Sequence, residues 1–238
     1  MRSVAVFLLF LFLRSVVPAQ APTAREIGNR LGTLKGAELK QLLEQLDLPP
    51  EIVDYYSSSD IVGFNWFYLN SRPGTSLNVL ALPCSSLQGA PILLLERSDD
   101  HWRLLDREGM DCHYDDSANV QLANLTSGKQ YDLLLHHDCR EHGAGYVEQH
   151  TRVLQIVDNR FKQVLDQEDV VHSFPPGAAG TFEESTFMPT SLNTLEQTRA
   201  ATTYDQNDQP ILSKMVITRR SFHWNGGRFV ASPWQRLR

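Results

Sequence analysis

Three stretches of this chain share one local pattern: Ser98-Asp99-Asp100-His101-Trp102, Asp158-Asn159-Arg160-Phe161 and Asn225-Gly226-Gly227-Arg228-Phe229. Each sets Asp, Asn or Gly where a tight hairpin needs φ > 0, then resumes with an aromatic residue. Few side chains tolerate that backbone region, so the pattern commits the flanking segments to antiparallel pairing. Strand-forming runs surround the turns. Val62 to Leu69 is rich in aromatics, and Arg72-Pro73-Gly74-Thr75 is a turn. Leu77 to Leu82, Ile92 to Glu96, His101 to Asp106, Asn119 to Leu125 and Tyr131 to His136 follow. Longer runs occupy Tyr146 to Val157, Phe161 to Leu165, Ile211 to Trp224 and Arg228 to Trp234. The expectation is a mainly β chain, with residues 61–238 forming one antiparallel meander of hairpins, either propeller-fragment-like or a sandwich. Residues 172–210 read as an irregular insertion. Phe174-Pro175-Pro176-Gly177-Ala178-Ala179-Gly180 is a loop, and Phe182 to Tyr204 is a candidate hairpin of weak periodicity.

Residues 22–56 read as a small α-helical N-terminal cap. Thr23 and Glu26 have the spacing of a capping box. Leu39, Leu42, Leu43 and Leu46 fall on one helical face, with Glu38, Lys40, Gln41, Glu44 and Gln45 on the other. Pro49-Pro50 ends that helix, and Glu51 to Tyr56 adds one more turn. The apolar face is expected to pack on the chain's own β body.

The first nineteen residues have the layout of a secretory signal peptide. Arg2 supplies the positive start, Val4 to Leu13 the apolar run, and Val17-Pro18-Ala19 the small residues of a cleavage point. The run is too short to span a bilayer, and Arg14 interrupts it. A cut after Ala19 is favoured over one after Ala21, which would leave Pro22 beside the scissile bond. Removing nineteen of 238 residues leaves 219, and losing two arginines moves the net charge from −6 to about −8. A secreted or periplasmic product follows, with no membrane span after signal removal. Its acidity gives no broad electrostatic reason to bind nucleic acid.

Cys84, Cys112 and Cys139 are the only cysteines, and five of the eight histidines lie between His113 and His150. In a meander, the turns after Leu82, Asp106 and His136 share one end of the sheet, bringing these residues to one rim. Two readings of that rim stay open. A Cys112–Cys139 disulfide closes a loop of about 27 residues, worth roughly 3 kcal/mol in the chain-entropy model. Alternatively, His136, His137, His142 and Cys139 offer nitrogen and sulfur ligands to zinc or copper. No paired C-x-x-C or H-E-x-x-H spacing is present.

For catalysis the sequence has no G-x-S-x-G elbow, no phosphate-cradling glycine loop and no dinucleotide fingerprint. The adjacent pairs Asp115-Asp116 and Glu183-Glu184 point to opposite faces of a strand and read as solvated charges. Asp138, Glu141 and His142 are the one group with the makings of a general base and its orienting partner. Trp66, Phe67, Tyr68, Trp102, Trp224 and Trp234 read first as core anchors, and as a stacking surface for sugars or peptides if several face outward. Asn124-Leu125-Thr126 matches a glycosylation sequon.

Pro91 to Asp166, about a third of the chain, resembles exported bacterial β proteins built from FG-GAP or VCBS-like repeats. Leu93-Leu94-Leu95-Glu96-Arg97 followed by Trp102-Arg103-Leu104-Leu105 is similar to their opening hairpin. The run from Val120 through Asn124-Leu125-Thr126-Ser127-Gly128 to Asp132-Leu133-Leu134-Leu135 is similar to their calcium-loop strand pair. In that family such repeats form propeller blades, and Asp-rich loops hold calcium. Here Asn124, Thr126 and Asp132 fall at possible ligand positions, while Gly128 stands where an acidic residue is usual. Calcium takes about six to eight oxygen ligands, so the resemblance implies topology and not a calcium site.

These readings converge on a non-catalytic exported β domain with a binding or structural role in the periplasm or cell envelope. Its partner is an unidentified ligand or protein, and no cofactor is expected. The alternatives are a zinc- or copper-binding protein using the His/Cys rim and a small hydrolase centred on Asp138, Glu141 and His142.

Overall fold

The computed structural model describes residues 21–58, 63–72, 75–85, 89–110, 117–128, 130–141, 146–171, 180–207 and 209–238. Three short helices come first: α1 (Ala24–Leu31), α2 (Gly36–Gln45) and α3 (Pro50–Ser58). The capping box forms, with Glu26 Oε2 accepting from Thr23 N at 2.6 Å and Thr23 Oγ1 accepting from Glu26 N at 3.3 Å. α2 stops ahead of Pro49-Pro50, and the turn expected at Glu51 to Tyr56 is a nine-residue helix opened by Pro50. At a helix's first position proline's missing N–H costs nothing, and Pro49 O is free to accept from Ile52 and Val53.

The remainder is β structure, in three sheets. Sheet 1 holds β1 (Asn65–Arg72), β2 (Thr75–Ala81), β3 (Ala90–Ser98) and β4 (His101–Met110). Sheet 2 holds β5 (Ser117–Ala123), β6 (Asp132–Glu141), β7 (Tyr146–Val157) and β8 (Arg160–Val171). Sheet 3 holds β9 (Gly180–Ser191), β10 (Thr194–Tyr204), β11 (Val216–Trp224) and β12 (Phe229–Ala231), with β13 (Gln235–Arg236) also paired to β11. Each sheet is an antiparallel meander with its four main strands in chain order. The sheets are not closed into a barrel.

Period-two alternation stacks the layers. Leu80, Leu82, Leu93 and Leu95 face the helices, packing with Ile27, Leu39, Leu42, Leu43, Leu46 and Ile52. Their neighbours Val79, Ala81, Ile92 and Leu94 point the other way, onto Leu133, Leu135, Leu154 and Ile156 of sheet 2. Leu134, Val153 and Leu165 then leave the far face of sheet 2 for Leu195, Phe222 and Phe229 of sheet 3. The order is therefore helices, sheet 1, sheet 2, sheet 3. Fully burying each Leu or Ile contributes about 1.5–3 kcal/mol, so the helical cap is integral to the fold.

The three marked turns behave alike. Asp99, Asp158, Asn159 and Gly226 all have positive φ. The aromatic after each turn enters a different layer: Trp102 the helix layer, Phe161 the space between sheets 1 and 2, Phe229 that between sheets 2 and 3. Each of the fourth strands β4 and β8 carries one extra residue at its fifth position. The register passes from Leu94↔Asp106 to Leu95↔Leu104, skipping Leu105, and from Val153↔Leu165 to Leu154↔Gln163, skipping Val164. Sheets 1 and 2 are thus two copies of one bulged unit.

Within residues 172–210 the candidate hairpin at Phe182 to Tyr204 is formed and regular, while 172–179, with most of the expected loop, lie outside the described residues. β9 and β10 make that hairpin, paired over ten or more residues and turning at Asn193, whose φ is 67°. Their Thr, Gln, Glu and Arg content hides the alternation because one end of the inward face is polar. The run Ile211 to Trp224 also shortens, since Leu212–Lys214 form a single 3-10 turn before β11.

Candidate binding cleft

Hydrogen bonds between sheets set the stack's orientation. Arg152 donates to Gly109 O, and Phe161 N donates to Asp106 Oδ2 at 2.7 Å. Asn193 N donates to Leu125 O at 3.0 Å. The turns at 98–101, 157–160 and 225–228 consequently share one end of the molecule with the β5–β6 connection.

At that end a cleft of about 670 Å³ opens between sheets 1 and 2, lined by Leu69, Asn70, Leu77, Gln130, Tyr131, Ile156, Asp158 and Asn159. Each side chain arrives for a local reason. In β1 the register shifts between Tyr68 and Asn70, leaving Leu69 as a bulge that re-aims the strand's end. Asp158 and Asn159, with φ of 51° and 61°, form the tight turn joining β7 to β8, a geometry that holds both polar side chains out from the sheet. Gln130 is anchored by a hydrogen bond from its amide to Ile156 O. Tyr131, next to the start of β6, keeps 44% of its surface exposed. Leu77 and Ile156 belong to the core between sheets 1 and 2 and give the cleft an apolar floor.

Three carboxamides, one carboxylate and one phenol therefore rim an apolar base. Carboxamides both donate and accept, the carboxylate accepts, and the phenol offers a flat face and a hydroxyl. No lysine or arginine stands among the described lining residues. Sequence reasoning missed this site. It took Asp158-Asn159 only as a turn and Tyr131 only as a strand start.

The opposite end carries the residues that sequence reasoning had singled out. His136 and His137 are consecutive on β6 and point to opposite faces. His136 Nδ1 lies 2.9 Å from Thr151 Oγ1, and the ring lines a second cavity of about 150 Å³ with Asn119, Gln121, Leu134, Thr186 and Phe187. His137 is buried on the other face, stacked on His150 with centroids 5.0 Å apart and planes at 17°. The set His136, His137, His142 and Cys139 also rests on His142 and the Cys139 side chain, which lie outside the described residues. Asp138, Cys139 and Glu141 have backbone places on β6 opposite Gln149, Glu148 and Tyr146. Their side chains, and all of Cys112 and His142, lie outside the described residues, so the disulfide and the hydrolase grouping do too. Cys84 is half-buried against the core between sheets 1 and 2. Among the described residues no group of three or more His, Cys, Asp or Glu side chains is placed to hold a metal ion.

Asp132, which the repeat resemblance put at a calcium position, is fully buried. One oxygen accepts from Leu125 N at 3.0 Å and Thr126 N at 2.7 Å, and Thr126 Oγ1 donates to the other at 2.8 Å. Burial pushes its carboxyl above the ordinary carboxylate range, outweighing the hydrogen bonds from Thr126 and Leu125 that pull it down. The carboxylate ties the β5–β6 connection to its own strand.

No protein-family model matches the chain, and no curated protein matches it. Among solved structures it is similar to a point mutant of an α-L-arabinofuranosidase from Fusarium graminearum in complex with an iminosugar inhibitor. The identity is 9% and the TM-score 0.33, over 73% of this chain and 48% of that one. The chain thus spans about half of that protein's length. So slight a likeness assigns neither fold nor activity.

Proposed function

We propose that the protein is an exported, non-catalytic β domain that binds a ligand in the cleft between sheets 1 and 2. The observation that carries the binding reading is the convergence of Asn70, Gln130, Tyr131, Asp158 and Asn159 from three separate chain segments on one partly apolar recess. Clefts with an apolar base and a few fixed polar groups are where ligands are held.

Support for export is the leader layout of residues 1–19, and two contacts bear on the cut. Trp102 Nε1 donates to Pro22 O at 2.9 Å, and Arg97 donates to Ala21 O at 3.2 Å. Ala21 and Pro22 are therefore built into the fold, consistent with a mature chain that begins at Gln20. A cut after Ala21 would remove the carbonyl that Arg97 holds.

Two measurements test the reading. Intact-mass and peptide mass spectrometry of the protein from a secreting host should find a chain beginning at Gln20, free or cyclised to pyroglutamate; protein retained inside the cell with Met1 intact defeats the export half. A diverse small-molecule mixture added to isotope-labelled protein should move amide resonances at 130, 131, 158 and 159. Shifts confined to other surfaces defeat the cleft.

A further inference from the structure

Resting on the proposal that the cleft binds a ligand, we infer that the ligand is a neutral saccharide. Vicinal hydroxyls each donate and accept, and they are best met by planar groups that do the same at short range. Asn70, Gln130 and Asn159 supply three such amides, and Asp158 supplies a carboxylate acceptor. The apolar C–H face of a sugar ring needs a flat or aliphatic surface. Tyr131, 44% exposed at the lip, and the floor of Leu69, Leu77 and Ile156 provide both.

Other ligand classes fit less well. A phosphate or sulfate ester calls for guanidinium or ammonium partners, and the described lining has neither. A divalent cation calls for several oxygens of which more than one is charged, and Asp158 is the sole carboxylate of that lining. An extended apolar peptide calls for a largely apolar wall, whereas five of the eight lining residues are polar.

The recess is also rigid where precision matters. Asp158 and Asn159 sit on a turn whose backbone conformation admits few alternatives, and Gln130 is tied to Ile156. Preorganised polar groups lose little freedom on binding, which suits a ligand whose hydroxyls already interact well with water.

The test uses the full secreted chain on a printed array of neutral oligosaccharides, with heparin and a tryptic casein digest as sulfated and peptide probes. Hits are then titrated by NMR. Binding of a neutral oligosaccharide that moves resonances at 130, 131, 158 and 159 supports the inference. So does a weakening of about tenfold in Tyr131→Ala and in Asn159→Gly, a change that removes the amide while keeping the turn's positive φ. Tyr68→Ala, which removes a comparably exposed ring (50%) outside the lining, should leave affinity unchanged. If heparin or casein peptides move the cleft resonances and neutral oligosaccharides do not, the saccharide inference falls while the cleft remains the binding site. If no probe moves those resonances, both readings fall.

Discussion

Thr126 holds Asp132 twice, through its backbone N–H at 2.7 Å and through its hydroxyl at 2.8 Å, in a fully buried setting. The pair closes the β5–β6 connection, and Gln155 Nε2 on β7 donates to the same hydroxyl at 2.9 Å. Asp132→Ala strips acceptors from two buried N–H groups. We expect a loss of about 2–4 kcal/mol, read from urea denaturation. Retention of wild-type stability would mean water or another acceptor takes over.

The same residue sets a pH dependence whose sign follows from its environment. Its folded-state pKa lies above the unfolded value because burial dominates. Its contribution is therefore complete below the unfolded pKa and is lost as pH rises through the raised folded value. Relative to Asp132→Asn, the wild type should lose stability as pH rises through the window between those two values. An opposite slope in paired denaturation curves would show that the hydrogen bonds to Thr126 and Leu125 outweigh desolvation.

Trp102 and Pro22 join the N-terminal segment to the fourth strand of sheet 1 across eighty residues of chain. Trp102→Phe keeps most of the aromatic packing against Trp66, whose ring lies 5.5 Å away, and removes the donor to Pro22 O. The expected cost is about 1–3 kcal/mol, from the lost hydrogen bond and the smaller ring. Amide exchange at Thr23 and Ala24 should speed up. Unchanged exchange there would rule out the anchor.

Asn159 has φ of 61° between β7 and β8. Asn159→Gly should leave thermal stability near the wild-type value, whereas Asn159→Val should cost about 1–2 kcal/mol, because a β-branched side chain disfavours that backbone region. Equal melting temperatures for the two variants would indicate that the turn rearranges.

The C-terminal strap returns along sheet 3. Ser232 N donates to Ser221 O at 2.7 Å and Leu237 N to Ile217 O at 2.8 Å, while Trp234 lies under the guanidinium groups of both Arg199 and Arg220 at 4.6 and 4.4 Å. Trp234→Ala should destabilise the protein by about 1–3 kcal/mol, with added salt changing the effect little because much of the loss is contact area. No measurable loss in calorimetry would mark the strap as a passive tail.

What was legible in the sequence was local. The capping box at Thr23 and Glu26, the leucine face of α2 and the three hairpin turns follow from spacing and from the few residues that accept φ > 0. The β9–β10 hairpin showed only faintly because Asn193 has no glycine beside it, and the turn expected at Glu51 to Tyr56 is a full helix because Pro50 suits a helix's first position.

The candidate site was not legible, because its residues are scattered from Leu69 to Asn159 and none carries a motif. The meander argument gathered histidines and cysteines at one rim by strand ends alone, whereas His136 and His137 occupy opposite faces of one strand.

By itself the sequence determined the strands of sheets 1 and 2, their marked reversals and which face of each is apolar, since those depend on steric limits and period-two alternation. Only the tertiary structure decided that the meander divides into three stacked sheets, and that the cleft opens at the hairpin end between the first two. Face-to-face packing is a matter of volume and contact between residues far apart in the chain, and no local rule encodes it.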